Sequence, residues 1–192
     1  MSDVTTTWTK LKAWIKTNAP DLKKSLKKAA SEKQITKLEK KLGVELPEDY
    51  KIFLQLCNGL KDDAEAGFYD GELLSCENVA EQWTVWKDLL EADHFEGISS
   101  KPQKGIRNDW WNPKWIPITH DGGGNHLCID LEPARGGRPG QIITMWHDSE
   151  ERELMYPNFT AWLEHILTGV ESGEIVFDSN DYCALVDKED IE

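Results

Sequence analysis

The sequence has 192 residues, 39% of them hydrophobic and 30% charged, with a formal net charge of −13, which suits one globular domain with a full core. Its polar first residues, and the absence of any apolar run near the roughly 18 residues of a membrane span, predict neither a signal peptide nor a membrane segment. The four cysteines stand far apart without a C-x-x-C pair, which argues against a local zinc site and predicts reduced thiols in a cytoplasmic protein.

The first predicted element is an amphipathic helix over residues 4–17, where apolar side chains recur every three or four positions. Asn18, Ala19 and Pro20 then end the pattern. The Lys-rich stretch at residues 21–30 is compatible with a connecting loop or a short helical turn. We interpret its lysines as a solvated face and not as a nucleic-acid site.

The next two helices are marked by local signals. Ser31 and Gln34 have the spacing of a capping box, and Gly43 supplies the left-handed residue that ends the helix. Pro47 is predicted in the first turn of the following helix, where a missing N–H has no cost. The buried face of that helix is predicted to hold Tyr50, Phe53, Leu54 and Cys57.

The rest of the chain has a less regular pattern of apolar residues. Residues 67–74 predict a turn and strand, Ser75 caps a helix that carries Trp83 and Trp86, and residues 91–105 are predicted as a loop. Glycine-rich turns separate short strands, which must therefore pair antiparallel. These strands cover residues 115–118, 127–131 and 141–146; a last helix covers 158–168, and 178–192 form an acidic tail. Helices, then strands, then a helix indicate an α+β domain.

Two patterns near the glycine turn at residues 121–125 could carry chemistry. Three consecutive glycines can cradle a phosphate, but a strand follows them instead of a helix and acidic neighbours would repel the phosphate, so a hairpin is favoured. His120, Asp121, His126 and Asp130 could be metal ligands, yet a structural role is favoured because no further strong ligand is predictable nearby. We predict no metal, no cofactor and no catalytic residue, since no nucleophile motif is present either.

Two groups of residues are candidates for contact with a partner. Trp110 and Trp111 are adjacent, so an extended backbone would point them in opposite directions and leave at least one exposed, as in many binding hot spots. The alternative, in which both pack over the core, remains open and is slightly favoured. The second group is a set of acidic residues on one loop: Asp62, Asp63, Glu65, Asp70 and Glu72.

The charge is distributed unevenly along the chain. Residues 1–42 contain 11 Lys and four acidic side chains, a net charge of +7, so residues 43–192 carry 11 basic and 31 acidic side chains, a net charge of −20. Such an excess repels nucleic acid and anionic lipid and attracts basic proteins. We therefore expect a protein partner and no nucleic-acid or membrane partner, while solubility alone remains an alternative explanation of the charge.

Two ordered segments resemble a known family. Residues 30–50, continuing to Asn58 and Gly59, resemble the opening signature of the SUKH superfamily, and most closely the members related to the yeast cell-wall-assembly regulator. Residues 110–118 (WWNPKWIPI), followed by 121–125 and 127–130, resemble its second signature. The resemblance covers about residues 30–168, so the helix and basic connector at 1–29 and the tail at 178–192 lie outside the SUKH-like domain, placed at 30–177.

The resemblance implies a central mixed or antiparallel sheet with helices packed around it and a function without catalysis. Bacterial members look like immunity proteins that neutralise toxins, often nucleases, and fungal members like regulators of cell-wall glucan synthesis. An acidic inhibitor can occupy the basic surface with which a nuclease grips phosphates. The sequence thus predicts an immunity protein, with an interaction scaffold in cell-wall assembly as the alternative and a histidine-based enzyme as a third, disfavoured possibility.

Overall fold

The computed structural model describes residues 3–191, and over that range it contains six α-helices, ten short strands and a final 3-10 turn at Lys188–Asp190. The helices are α1 (Val4–Asn18), α2 (Pro20–Ser25), α3 (Glu32–Leu42), α4 (Glu48–Leu54), α5 (Cys76–Glu91) and α6 (Phe159–Ser172). The strands are β1 (Glu72–Leu73), β2 (Lys101–Pro102), β3 (Trp115–Pro117), β4 (Thr119–His120), β5 (His126–Asp130), β6 (Gln141–Met145), β7 (Glu151–Arg152), β8 (Leu154–Tyr156), β9 (Ile175–Asp178) and β10 (Ala184–Asp187). This arrangement confirms the predicted α+β class.

A four-stranded antiparallel sheet forms the centre of the strand region, in the order β3-β5-β6-β8. Every residue of β3, β5 and β6 is buried, so these strands lack a solvent-facing side and their sequences do not alternate between apolar and polar residues. Three further pairs surround the sheet: β1 with β4 and β9 with β10, both antiparallel, and β2 with β7, which is parallel. The central sheet with surrounding helices agrees with the architecture that the family resemblance implied.

The helix ends follow the sequence signals closely. Ser31 and Gln34 form the complete capping box, and Gly43 ends α3 with a φ of 67°. Asp3 caps α1 by accepting a hydrogen bond from the Thr6 N–H at 3.0 Å. Pro47 lies one position earlier than predicted, because α4 begins at Glu48 and the proline is its N-cap residue.

Several short strands were not anticipated from the sequence. The predicted loop at residues 91–105 contains β2, and the strand predicted within 67–74 is limited to two residues. The acidic tail is part of an antiparallel hairpin, since β10 pairs with β9, which itself runs past residue 177. In strands of two to four residues the alternation of apolar and polar side chains is too short to be recognised in the sequence. Such strands can be identified only from the strands with which they pair.

Aromatic rings connect the N-terminal helix to the rest of the core. Trp8 of α1 is 2% exposed and meets the ring of Phe53 at 5.0 Å in an edge-on contact. Phe53 in turn lies 4.9 Å from Phe159 of α6, and Phe68 lies 5.9 Å from Trp162. Helix α1, which lies outside the family signature, is therefore part of the same hydrophobic core.

None of the helices found in residues 3–191 has both the length and the apolar character that crossing a bilayer would require. The four cysteines are free thiols, three of them buried and Cys183 partly buried.

Candidate interaction site

An acidic groove of about 560 Å³ opens where three separate segments of the chain meet. The segments are the loop that leads into β1, the glycine turn between β4 and β5, and strand β10 with the 3-10 turn after it. Pairing of β1 with β4 sets Glu72 opposite His120 and so joins the first two segments. We call this site the acidic groove.

Gly71 allows the first two segments to approach closely. Its φ is 109°, and a Cβ at this position would lie 2.6 Å from the backbone oxygen of His120. Only glycine accommodates both the positive φ and that approach. Asp70, the preceding residue, also has a positive φ, of 62°, which Asp tolerates better than most side chains.

Two hydrogen bonds attach the C-terminal hairpin to the same loop. The Gly67 N–H donates to the backbone oxygen of Cys183 at 2.9 Å, and the Tyr69 hydroxyl donates to the Asp187 carboxylate at 3.0 Å. The hairpin thereby brings Asp187 and Asp190 to the groove, although they are more than 110 residues distant from Asp70 in sequence.

The groove is strongly negative. Of the described residues that line it, none is Lys or Arg, and His120 is its one residue that can carry a positive charge. The carboxylates that line it are Asp70, Glu72, Asp121, Asp187 and Asp190. Such a concentration of one charge sign in a concave surface raises the local concentration of cationic groups.

The carboxylate of Asp70 has a raised pKa. Desolvation by its neighbours raises the pKa of Asp70 to about 6, and the Asp187 carboxylate adds to the increase, while a 3.5 Å hydrogen bond from Trp162 Nε1 and the nearby His165 oppose it. The residue as a whole is exposed to solvent, although its carboxylate is partly desolvated. Asp70 is therefore a group that can change charge close to neutral pH.

Asp121 instead serves the glycine turn. Its carboxylate accepts hydrogen bonds from the N–H groups of Gly123 at 2.7 Å and Asn125 at 2.9 Å. Burial raises the pKa of Asp121, but these hydrogen bonds outweigh it and hold the pKa below its ordinary value. The turn is thus the self-stabilised hairpin connection that the sequence favoured.

Four of the five predicted acidic residues line two depressions that share Glu72. Asp70 and Glu72 line the acidic groove, while Asp62, Glu65 and Glu72 line an adjoining depression of about 150 Å³. Asp62 also forms a 2.9 Å ion pair with Lys27 and accepts a hydrogen bond from Asn78; both contacts lower its pKa. Asp63 is exposed on the same loop.

The predicted tryptophans lie elsewhere. Trp111 is 3% exposed and packs against the rings of Trp86 at 6.5 Å and Trp83 at 6.3 Å, so it offers no surface to a partner in this conformation. Trp110 is half-buried, and the Arg152 guanidinium lies 5.2 Å from its ring centre. Neither side chain is among the residues that line the acidic groove.

Two of the histidines, His120 and His126, lie side by side. The rings of His120 and His126 stack at 5.2 Å, but His126 is buried, with Nδ1 2.7 Å from the Thr119 oxygen and Nε2 accepting from Trp86 Nε1 at 3.0 Å. Burial lowers the pKa of His126 to about 4, so it is neutral and both ring nitrogens are occupied. Over residues 3–191 no group of three or more potential ligands could hold a metal ion.

Sequence reasoning missed the contributions of Asp121, Asp187 and Asp190 to a shared surface. The acidity of the tail was visible, but nothing local indicated that β10 would return to the loop that carries Asp70. The long-range hydrogen bond between Tyr69 and Asp187 has no sequence signature.

Comparison with known proteins identifies a family whose model matches most of the chain. The model of the SMI1 / KNR4 family (SUKH-1) matches residues 29–165. Similar proteins include the "Glucan synthesis regulatory protein" of Neurospora crassa, 25% identical over 92% of this chain, and the "Cell wall assembly regulator SMI1" of Saccharomyces cerevisiae, 24% identical over 95%. The "Cell wall biosynthesis/cell cycle regulator smi1" of Schizosaccharomyces pombe is 23% identical over 93%. The aligned parts cover 40%, 44% and 38% of these relatives, so the chain spans less than half of their length.

Proposed function

The chain belongs to the SMI1/KNR4 (SUKH-1) family, and from this membership we propose that it is a non-enzymatic protein-binding domain that controls a partner by direct contact. The single observation that carries the proposal is the acidic groove, where five carboxylates from three segments converge without a lysine or arginine among the described lining residues. A basic segment of a partner protein is the complementary ligand.

Three of the reactive side chains in the described chain are poorly suited to catalysis. Burial raises the pKa of Cys57 and of Cys76 to about 12, which suppresses the thiolate that a nucleophile needs. His126 is neutral and uses both ring nitrogens, so it has no free nitrogen for proton transfer. We also propose a cytoplasmic site of action, which the four unpaired thiols support.

Two finer versions of the proposal differ in the partner. The names of the fungal relatives support a regulatory contact in cell-wall or glucan synthesis. The net charge of −20 over residues 43–192 supports neutralisation of a basic toxin, such as a nuclease. A toxin inhibitor must bind tightly and prevent the toxin's activity, whereas a regulatory scaffold is expected to bind several partners more weakly.

The test compares the unmodified protein with a variant in which the groove is neutralised, Asp70→Asn/Glu72→Gln/Asp187→Asn. Both proteins serve as bait under identical conditions, and a partner recovered only by the unmodified bait is then purified for binding kinetics. We expect the association rate to fall at least tenfold between 50 and 300 mM salt, with little change in dissociation. The matched control, Glu96→Gln/Glu171→Gln/Asp181→Asn, removes three exposed charges that lie outside the groove.

The expected result is that the control variant retains the partner and the groove variant loses it. Equal binding by both variants, or an association rate that does not depend on salt, would show that the acidity serves solubility alone. A partner whose toxic activity is blocked at equimolar protein selects the immunity version, and several partners of micromolar affinity select the scaffold version.

A further inference from the structure

A second groove, distinct from the acidic one, lies between helices α3 and α5. It has a volume of about 500 Å³, and its apolar lining comes from Leu38 on α3 and from Cys76, Ala80 and Val85 on α5. Val85 is 50% exposed, although the same helix contributes four residues to the core, Cys76, Val79, Trp83 and Trp86. The groove shares no lining residue with the acidic groove.

The two helices run along the groove with their first turns at the same end. Gln34 in the first turn of α3 donates a hydrogen bond to Glu77 in the first turn of α5 at 3.0 Å. Lys41 and Asp88 line the groove near the other ends of the same helices. From Cys76 to Asp88 helix α5 rises ~18 Å at 1.5 Å per residue, so the groove extends along about three helical turns.

The two walls of the groove carry opposite charges. Lys37 and Lys41 line it from α3, whereas Glu77, Glu81 and Asp88 line it from α5. Helix α3 belongs to the basic residues 1–42 and helix α5 to the acidic residues 43–192. A ligand that fits this groove must therefore be apolar along its middle, acidic on the side that faces α3 and basic on the side that faces α5.

We propose that this groove binds an amphipathic α-helix of a partner protein, with an apolar stripe flanked by acidic side chains on one side and basic side chains on the other. The apolar stripe at i, i+3 or i+4 and i+7 covers Ala80 and Val85, as in other helix-in-groove complexes. The acidic flank faces Lys37 and Lys41, and the basic flank faces Glu81 and Asp88. The opposite charges of the walls also fix the direction in which the partner helix lies.

The direct test uses three designed 21-residue helical peptides with the same leucine stripe. One has Glu on one flank and Lys on the other, one has Glu on both flanks, and one has Lys on both. Binding is followed at 150 mM salt through the backbone amide shifts of α3 and α5 in NMR titrations. We expect the peptide with mixed flanks to bind at least tenfold more tightly than either peptide with uniform flanks.

A matched pair of variants locates the binding. Val85→Asp adds a charge to the apolar lining of the groove, and we expect it to weaken binding of the mixed peptide at least tenfold. Ile98→Asp makes the same change at a residue with almost equal exposure, 49%, in the loop after α5, and should leave binding unchanged. The variant with the neutralised acidic groove, Asp70→Asn/Glu72→Gln/Asp187→Asn, should also bind the peptide normally, because its substitutions lie outside the groove between α3 and α5. The peptide test and the test of the acidic groove can therefore fail independently of each other.

Direction is tested with a spin label at one end of the mixed peptide. The label should broaden amides either at the Gln34 end or at the Lys41 end of α3, and exchanging the two flanks of the peptide should move the broadening to the opposite end. If Val85→Asp disturbs folding, Lys37→Glu/Lys41→Glu replaces it and should transfer the preference to the peptide with Lys on both flanks.

Three outcomes would overturn the proposal. The first is equal affinity for all three peptides, and the second is binding that Val85→Asp leaves intact. The third is a dimer in sedimentation equilibrium that Val85→Asp dissociates, since the occupant of the groove would then be a second copy of this chain.

Discussion

Replacing Asp70 with Asn should make the protein more stable at neutral pH. Desolvation raises the pKa of Asp70 from 3.8 to about 6, so the folded state binds the proton more tightly than the unfolded state does. Ionised Asp70 therefore destabilises the fold. This destabilisation is complete above about pH 6 and disappears progressively as the pH falls toward the unfolded value of 3.8.

The size of the effect follows from the shift. At 1.36 kcal/mol per unit, the shift to about 6 corresponds to at most ~3 kcal/mol. Because much of Asp70 is exposed, solvent screens the charge, and we expect a gain of about 1 kcal/mol at pH 7.5. Asn also tolerates the φ of 62° at this position, so the substitution adds no backbone strain.

The assay is urea unfolding followed by tryptophan fluorescence at pH 7.5 and at pH 4.5. Asp70→Asn should exceed the unmodified protein in stability at pH 7.5, and the difference should be smaller at pH 4.5, where folded Asp70 is already partly protonated. Asp63→Asn, an exposed acid on the same loop, is the matched control and should stay within ~0.5 kcal/mol at both pH values. A gain that is absent at pH 7.5, or equal at the two pH values, would refute the reasoning.

Four further substitutions test backbone geometry, core packing and helix capping. Gly71→Ala should lower the free energy of unfolding by at least ~2 kcal/mol, measured by urea unfolding, because its Cβ would approach the His120 oxygen to 2.6 Å at a φ of 109°. Trp111→Ala should cost ~3–5 kcal/mol because the ring is buried, whereas Trp110→Ala should cost about 1 kcal/mol; similar costs in thermal unfolding would contradict the different burial of the two rings. Ser31→Ala should cost ~1 kcal/mol through loss of the capping box, and an unchanged unfolding midpoint in urea would show that the box contributes nothing to stability.

Features that depend on neighbours in sequence could be predicted. The capping box of Ser31 and Gln34 and the left-handed Gly43 act within a few residues, so their sequence pattern determines their geometry. The glycine turn at residues 121–125 likewise predicts the antiparallel pairing of the strands around it. For the same local reason the position of Pro47 was wrong by only one residue.

Features that depend on distant pairing could not be predicted. Strand β1 has only two residues, and it forms because Leu73 and Glu72 pair with Thr119 and His120, which lie far along the chain. The acidic groove depends on that pair and on the Tyr69–Asp187 hydrogen bond, which joins residues 118 positions apart. The sequence therefore predicted two of the groove's five carboxylates, Asp70 and Glu72, as members of an acidic loop and gave no indication of the segments that complete the groove.

Asp70 can distinguish two explanations of the acidic groove, namely that it binds a partner or that its charge serves solubility alone. A solubilising charge works best where water surrounds it, yet the Asp70 carboxylate is partly desolvated and repelled by Asp187, an arrangement that destabilises the fold at neutral pH. Uncharged Asn would fit the same backbone, and sites where charge is retained against stability are commonly sites of function. If Asp70→Asn gains stability at pH 7.5 and loses affinity for the partner, the charge serves binding. Gained stability with unchanged affinity would instead leave the groove without a role in the contact.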